Sequence, residues 1–82
     1  MSVTLDVESV KRFGGDSDAV YSIYVDGKFA HSFPRDNWAI DKAEEILREG
    51  GNKKVVIMES KHTEPITERT YYKVTLDHDE KA

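Results

Sequence analysis

Eighty-two residues, 38% of them hydrophobic, suffice for one small core. A net charge of −4 counts against generic phosphate or anionic-membrane binding, which needs an excess of cations. With no cysteine there are no disulfides or thiolate metal sites, which fits a cytoplasmic chain, and no apolar run reaches the length of a signal h-region or a membrane span.

Val3, Leu5 and Val7 alternate with Thr4, Asp6 and Glu8, the pattern of a half-buried strand. The phase slips at Ser9-Val10, which predicts a bulge or the strand end. Lys11-Arg12-Phe13 leads into Gly14-Gly15-Asp16-Ser17-Asp18, a loop by composition. Ala19 to Val25 and Lys28 to Phe33 are a second and a third strand, joined by the hairpin signal Asp26-Gly27. A two-residue turn would set Tyr24 beside Phe29. A three-residue turn would set Ile23 beside Phe29, with Tyr21, Phe29, His31 and Phe33 on one face and Tyr24, Lys28 and Ala30 on the other. Burial of the larger apolar set favours the second register.

A helix follows from about Asp36 to Glu49. Ala39, Ile40, Ala43, Ile46, Leu47 and Gly50 recur at helical spacing, and Asp41, Lys42, Glu44, Glu45, Arg48 and Glu49 take the other side. Asp36 is the expected N-cap, and Gly50-Gly51 the stop. Trp38 is expected to close the end of the core against Phe33. Val55-Val56-Ile57-Met58 is apolar without alternation, as in a strand buried on both faces. Glu59 to Pro65 is expected to carry a turn, and the last strand runs from about Thr67 to Leu76. Residues 1–77 then form one domain and residues 78–82 a charged flexible tail.

The fold class is α+β: a two-layer βββαββ domain with one helix on one face of a mixed, mostly antiparallel five-stranded sheet. A right-handed crossover into a central fourth strand gives the order 3-2-1-4-5, the fourth strand lying parallel beside the first. That topology resembles the first half of a ribonuclease H-like fold, over about Val3 to Lys61. The resemblance implies acidic metal ligands on the first strand, the helix and the end of the fourth strand, where this chain has Asp6, Glu44 or Glu45, and Glu59. Two metal ions there would clamp a phosphodiester. Against it, Asp6 alternates with Leu5 and Val7 and so faces away from the helix, while Glu44 and Glu45 sit on the helix's outer side.

His31, His62 and His78 show no metal-site spacing, and no serine has a nucleophile context. The expectation is therefore no catalysis, no cofactor and no metal. One helix covers one face, so the other stays open or meets a protein partner or a second copy. Tyr24, Met58 and Tyr71, with Lys28 and Lys73 near them, are the candidate binding residues on that open face. In size, acidity and lack of motifs the chain resembles the small inhibitor and adaptor proteins that phages direct against host enzymes. The alternative is RNA or single-stranded nucleic-acid binding, with the same aromatics stacking bases.

Overall fold

The computed structural model describes residues 3–14, 20–63 and 65–77. The expected loop from Gly15 to Asp18, Ala19 at the start of the second strand, Glu64 in the last turn and the tail at 78–82 lie outside the described residues.

Five strands and one helix follow in the order β1 (Val3–Gly14), β2 (Tyr21–Val25), β3 (Lys28–Phe33), α1 (Asp36–Arg48), β4 (Val55–Thr63) and β5 (Ile66–Leu76). The α+β class, the single sheet and the single covering helix are as the pattern predicts. The strand order is β1-β5-β4-β2-β3, and every ladder is antiparallel. β1 does run in the same direction as β4, but β5 lies between them and β1 forms an edge. Strand length explains this difference. β1 has 12 residues and β5 has 11, whereas β2 has 5. β1 and β5 match in length and pair from Val3–Leu76 to Gly14–Ile66, a ladder that the short β2 has too few residues to form. β4 is central, as its two-sided apolar run requires.

β1 passes through the slip at Glu8 as a bulge and continues to Gly14. At Asp26-Gly27 the turn has two residues, with φ of 52° and 84°, so Val25 pairs with Lys28 and Tyr24 with Phe29. An extra residue at Ala30 then restores Ile23 opposite His31 and Tyr21 opposite Phe33. The favoured three-residue register is therefore incorrect near the turn: Lys28 shares the face of Val25, and Phe29 shares that of Tyr24. The tip is tied to β4 by Asp26 N–H donating to the Lys54 carbonyl at 2.8 Å and Lys54 N–H donating to the Asp26 carboxylate at 3.0 Å.

Helix α1 buries Ala39, Ala43 and Ile46 against Ile23, Val55, Ile57 and Val74, with Val3, Leu5, Ile40 and Leu47 around them. Each large side chain in this set contributes about 1.5–3 kcal/mol by leaving water. The N-cap is Arg35, without a side-chain capping bond, and Asp36 is the first helical residue, its carboxylate accepting from Asn37 N–H at 2.7 Å. Gly50 and Gly51 stop the helix in the left-handed conformation, at φ of 91° and 84°. Trp38 does not close the core. It is 49% exposed, with the Arg35 guanidinium 5.5 Å from its ring.

Because α1 starts just after Phe33, its N-terminus lies level with Tyr21, which pairs with Phe33 on one side and with Glu59 on the other. From there it runs back over one half of the sheet. The β2–β4 ladder ends at Tyr21 and Glu59, whereas β1, β5 and β4 continue side by side to Gly14, Ile66 and Thr63. The molecule is accordingly a helix-covered body with a three-stranded arm, 49 Å along its longest axis.

Candidate functional site

Period two along the ladders assigns the paired strand residues to a face, with the bulges at Glu8 and Ala30 shifting the phase. Val56, Met58, Lys73, Tyr71 and Tyr24 share the face away from the helix, as expected. Lys28 does not join them, because of the two-residue turn. Met58 lies on that face but is only 7% exposed, its side chain packed beneath its neighbours. Tyr24 and Tyr71 are half-buried, and Lys28 and Lys73 are exposed.

The open face is covered by its own long side chains. Lys54 reaches Glu8 at 2.6 Å. Lys11 Nζ stands 5.6 Å from the centre of the Tyr71 ring, and the Arg69 guanidinium lies 4.7 Å from that of Phe13. Tyr24 meets Phe29 edge-on at 5.9 Å. On the arm, His62 Nδ1 and Thr67 Oγ1 are 3.1 Å apart. The face thus presents aromatic rings beneath cations. Among the described residues, Lys11, Arg69 and Lys73 form no ion pair, and the Arg69 Nε is buried without a hydrogen-bond partner.

The helix side holds a second arrangement at the elbow between body and arm. Leu5, Tyr21, Asp36, Ile40, Ile57, Glu59 and Tyr72 line a notch of about 210 Å³. Glu59 is half-buried there, in phase with Val55 and Ile57 on the helix face of β4. The Tyr21 hydroxyl donates to Glu59 Oε2 at 3.2 Å and the Tyr72 hydroxyl to Oε1 at 3.0 Å. Burial pushes both phenol pKa values up, and the neighbouring Glu59 charge and its acceptance of both O–H groups push them further. From the sequence, Glu59 is reached only as a metal ligand implied by a resemblance; one more step of the Val55-Ile57 alternation also lands on it, but the turn expected from Glu59 onward hides that it continues the helix face of β4.

The ribonuclease H-like carboxylate set is not brought together. Asp6 pairs with Lys73 on the open face, Glu59 lies on the helix face, and Glu44 is held by Arg48 at 2.6 Å on the helix exterior. β1 also lies at the edge and not between β2 and β4, so the topology behind that resemblance is absent. Among the described residues no group of three His, Asp or Glu side chains is placed to hold a metal ion, and no helix is long and apolar enough to cross a membrane. Comparison of the chain with protein-family models, curated proteins and solved structures finds no match.

Proposed function

We propose that this chain is a small, non-enzymatic interaction module of inhibitor or adaptor type, binding a protein partner through the open face of its sheet in the cytoplasm. The observation that supports this reading is the strip of aromatic rings on that face together with cations that form no ion pair among the described residues: Phe29 and Tyr24 on the body, then Tyr71 with Lys11 and Phe13 with Arg69 on the arm. Tyrosine and arginine dominate the energetics of protein contacts, because each combines a large rigid surface with hydrogen-bonding capacity. The partner surface that complements Lys11, Arg69 and Lys73 is acidic.

The same strip supports a second reading, single-stranded nucleic acid, in which Tyr71 and Phe13 stack bases while Lys11 and Arg69 meet phosphates. One experiment separates the two. Tagged wild-type chain and a Lys11→Glu/Arg69→Glu variant are used for capture from lysate, with and without nuclease. A protein retained after nuclease by the wild type and lost from the folded variant supports the module. Loss on nuclease treatment favours nucleic acid, and equal capture by both proteins overturns this face as the site.

A further inference from the structure

Every described glutamate except one has a cation of its own. Glu8 is paired with Lys54, Glu44 with Arg48, Glu45 with Lys42, Glu49 with Lys53 and Glu68 with Arg12. The exception is Glu59, which is half-buried at the elbow. Lys61 shares its face of β4 two residues on, but is not within ion-pair distance. Among these six, Glu59 is the carboxylate held by hydroxyl groups alone, accepting from Tyr21 and Tyr72 with no cation beside it. The helix N-terminus beside it is already engaged by Asp36, which also lines the notch and adds a second negative charge.

We propose that the elbow notch is the seat of an arginine side chain from a partner chain. Three properties select that occupant. The notch, at about 210 Å³, is smaller than the roughly 300–1,000 Å³ of small-molecule sites and suits one long side chain. Leu5, Ile40 and Ile57 provide apolar walls for its methylene stem, and the rings of Tyr21 and Tyr72 supply aromatic surface for a cation. Both Glu59 oxygens keep lone pairs beyond the one phenol bond each accepts, and a planar guanidinium donates to two such oxygens at once, which an ammonium does not. The notch lies on the helix side, away from the strip of the open face, so this site stands without that reading and is tested without the partner.

The experiment is a titration of ¹⁵N-labelled full-length protein with N-acetylarginine amide, the lysine equivalent and the uncharged citrulline equivalent, followed by amide chemical shifts. The expected result is saturable shifts at Tyr21, Ile40, Ile57, Glu59 and Tyr72 with the arginine compound in the millimolar range. Citrulline should bind at least about tenfold more weakly. Glu59→Gln should lose about tenfold in affinity for the arginine compound, and the exposed Asp36→Asn, which leaves the tyrosine clamp intact, a smaller factor. An equal response to citrulline, or shifts centred on Asp41 and Glu45, overturns the site. An equal response to the lysine compound overturns the guanidinium assignment. If Glu59→Gln fails to fold, undiminished binding by Asp36→Asn in both low and high salt overturns the charge argument.

Discussion

The half of the sheet beneath α1 and the arm beyond Glu59 share three strands, yet they are stabilised differently. In the body the strands place Val55, Ile57 and Val74 under a helix that seals them from water, and Ile23, Val55, Ala39 and Ala43 are fully buried. In the arm both faces meet solvent. Val10 is 47% exposed and Ile66 45%, and the side chains that reach complete burial are small hydroxyl residues such as Thr67. The arm is held by backbone ladders, cations over aromatic rings and the Arg12–Glu68 pair, none of which excludes water over a large area. Side chains buried for stability are unavailable to a partner, whereas the arm and elbow leave chemically distinctive groups incompletely satisfied. The difference locates the buried apolar core in the body and leaves the half-satisfied polar and aromatic groups at the elbow and arm, which is where the proposed contacts fall.

The largest expected effect tests that division directly. Ile57→Ala and Ile46→Ala should each cost about 2–5 kcal/mol, because the sealed body cannot collapse around the cavity. Val10→Ala and Ile66→Ala on the arm should stay within about 0.5 kcal/mol, as exposed positions do. Urea denaturation of the four variants is the measurement. Arm substitutions as costly as those in the body would make the arm part of the core. Amide exchange sharpens the same contrast: Val55 to Met58 should outlast Val10 to Phe13.

Next in size is the contribution of the open face to binding. Tyr71→Ala removes the ring beneath Lys11 and should weaken the partner complex by about 1–3 kcal/mol with only a small fall in Tm. Tyr24→Ala tests whether the contact extends from the arm onto the body. Titration calorimetry against the captured partner and a thermal melt decide both. A large Tm loss in both variants would show that these rings are structural. Full affinity in both would move the contact to the elbow or the β1 edge.

Most of the body is legible in the sequence, and most of the elbow is not, for the same physical reason. Helix boundaries and strand identities follow from periods that each segment carries by itself: Ala39-Ala43-Ile46 for α1, Leu5-Val7 for β1, the unbroken Val55–Met58 for a central strand. Strand order and the elbow depend on matching between segments. Nothing inside β1 states that its length fits β5 better than β2. The Asp26-Gly27 turn follows its local chemistry, and the burial argument misplaces Phe29 because a single extra residue, Ala30, satisfies turn and core together. Of the expected binding residues, Tyr24, Tyr71 and Lys73 are where alternation puts them. Met58 is on the right face but covered, since alternation gives direction without depth, and neighbouring long side chains decide depth. The Glu59 clamp joins β2, β4 and β5 and is visible only once those strands are neighbours.

A smaller effect appears in alkali. Tyr21 and Tyr72 both titrate above the ordinary 10.0 in the folded chain, through burial and the adjacent Glu59 charge. The folded state therefore holds these protons more tightly than the unfolded chain does. Their contribution to stability is complete below pH 10.0 and is lost as pH rises through the raised folded values. Tm should fall as pH rises above 10.0, and the fall should flatten in Tyr21→Phe/Tyr72→Phe. An identical alkaline slope in that variant would remove the elbow as its origin.

The smallest effect belongs to Glu45, and it contrasts with Glu59 at the other end of the same physical scale. Glu45 is a surface carboxylate on α1 whose pKa is lowered by its hydrogen bond from Lys42, at 2.9 Å, and by the lysine's charge. The sign is opposite to that of the tyrosines. Its contribution is present above the ordinary carboxylate value of 4.5 and is lost as pH falls through the lowered folded value. Three features keep it slight. The Glu45 side chain is 61% exposed, so water and salt screen the pair. Lysine precedes glutamate, the less favourable order along a helix. Asp41 and Glu49 also stand four residues away on either side with like charge. Glu45→Gln should therefore leave Tm unchanged within error at pH 7, at both low and high salt, and should not alter the acid limb of the melting curve. Glu59→Gln should lower Tm measurably at pH 7, because its carboxylate accepts from two tyrosine hydroxyls in a half-buried notch. A Tm loss in Glu45→Gln that matches Glu59→Gln would mean that exposure does not separate these two carboxylates, and the distinction between body surface and elbow would fail at that point.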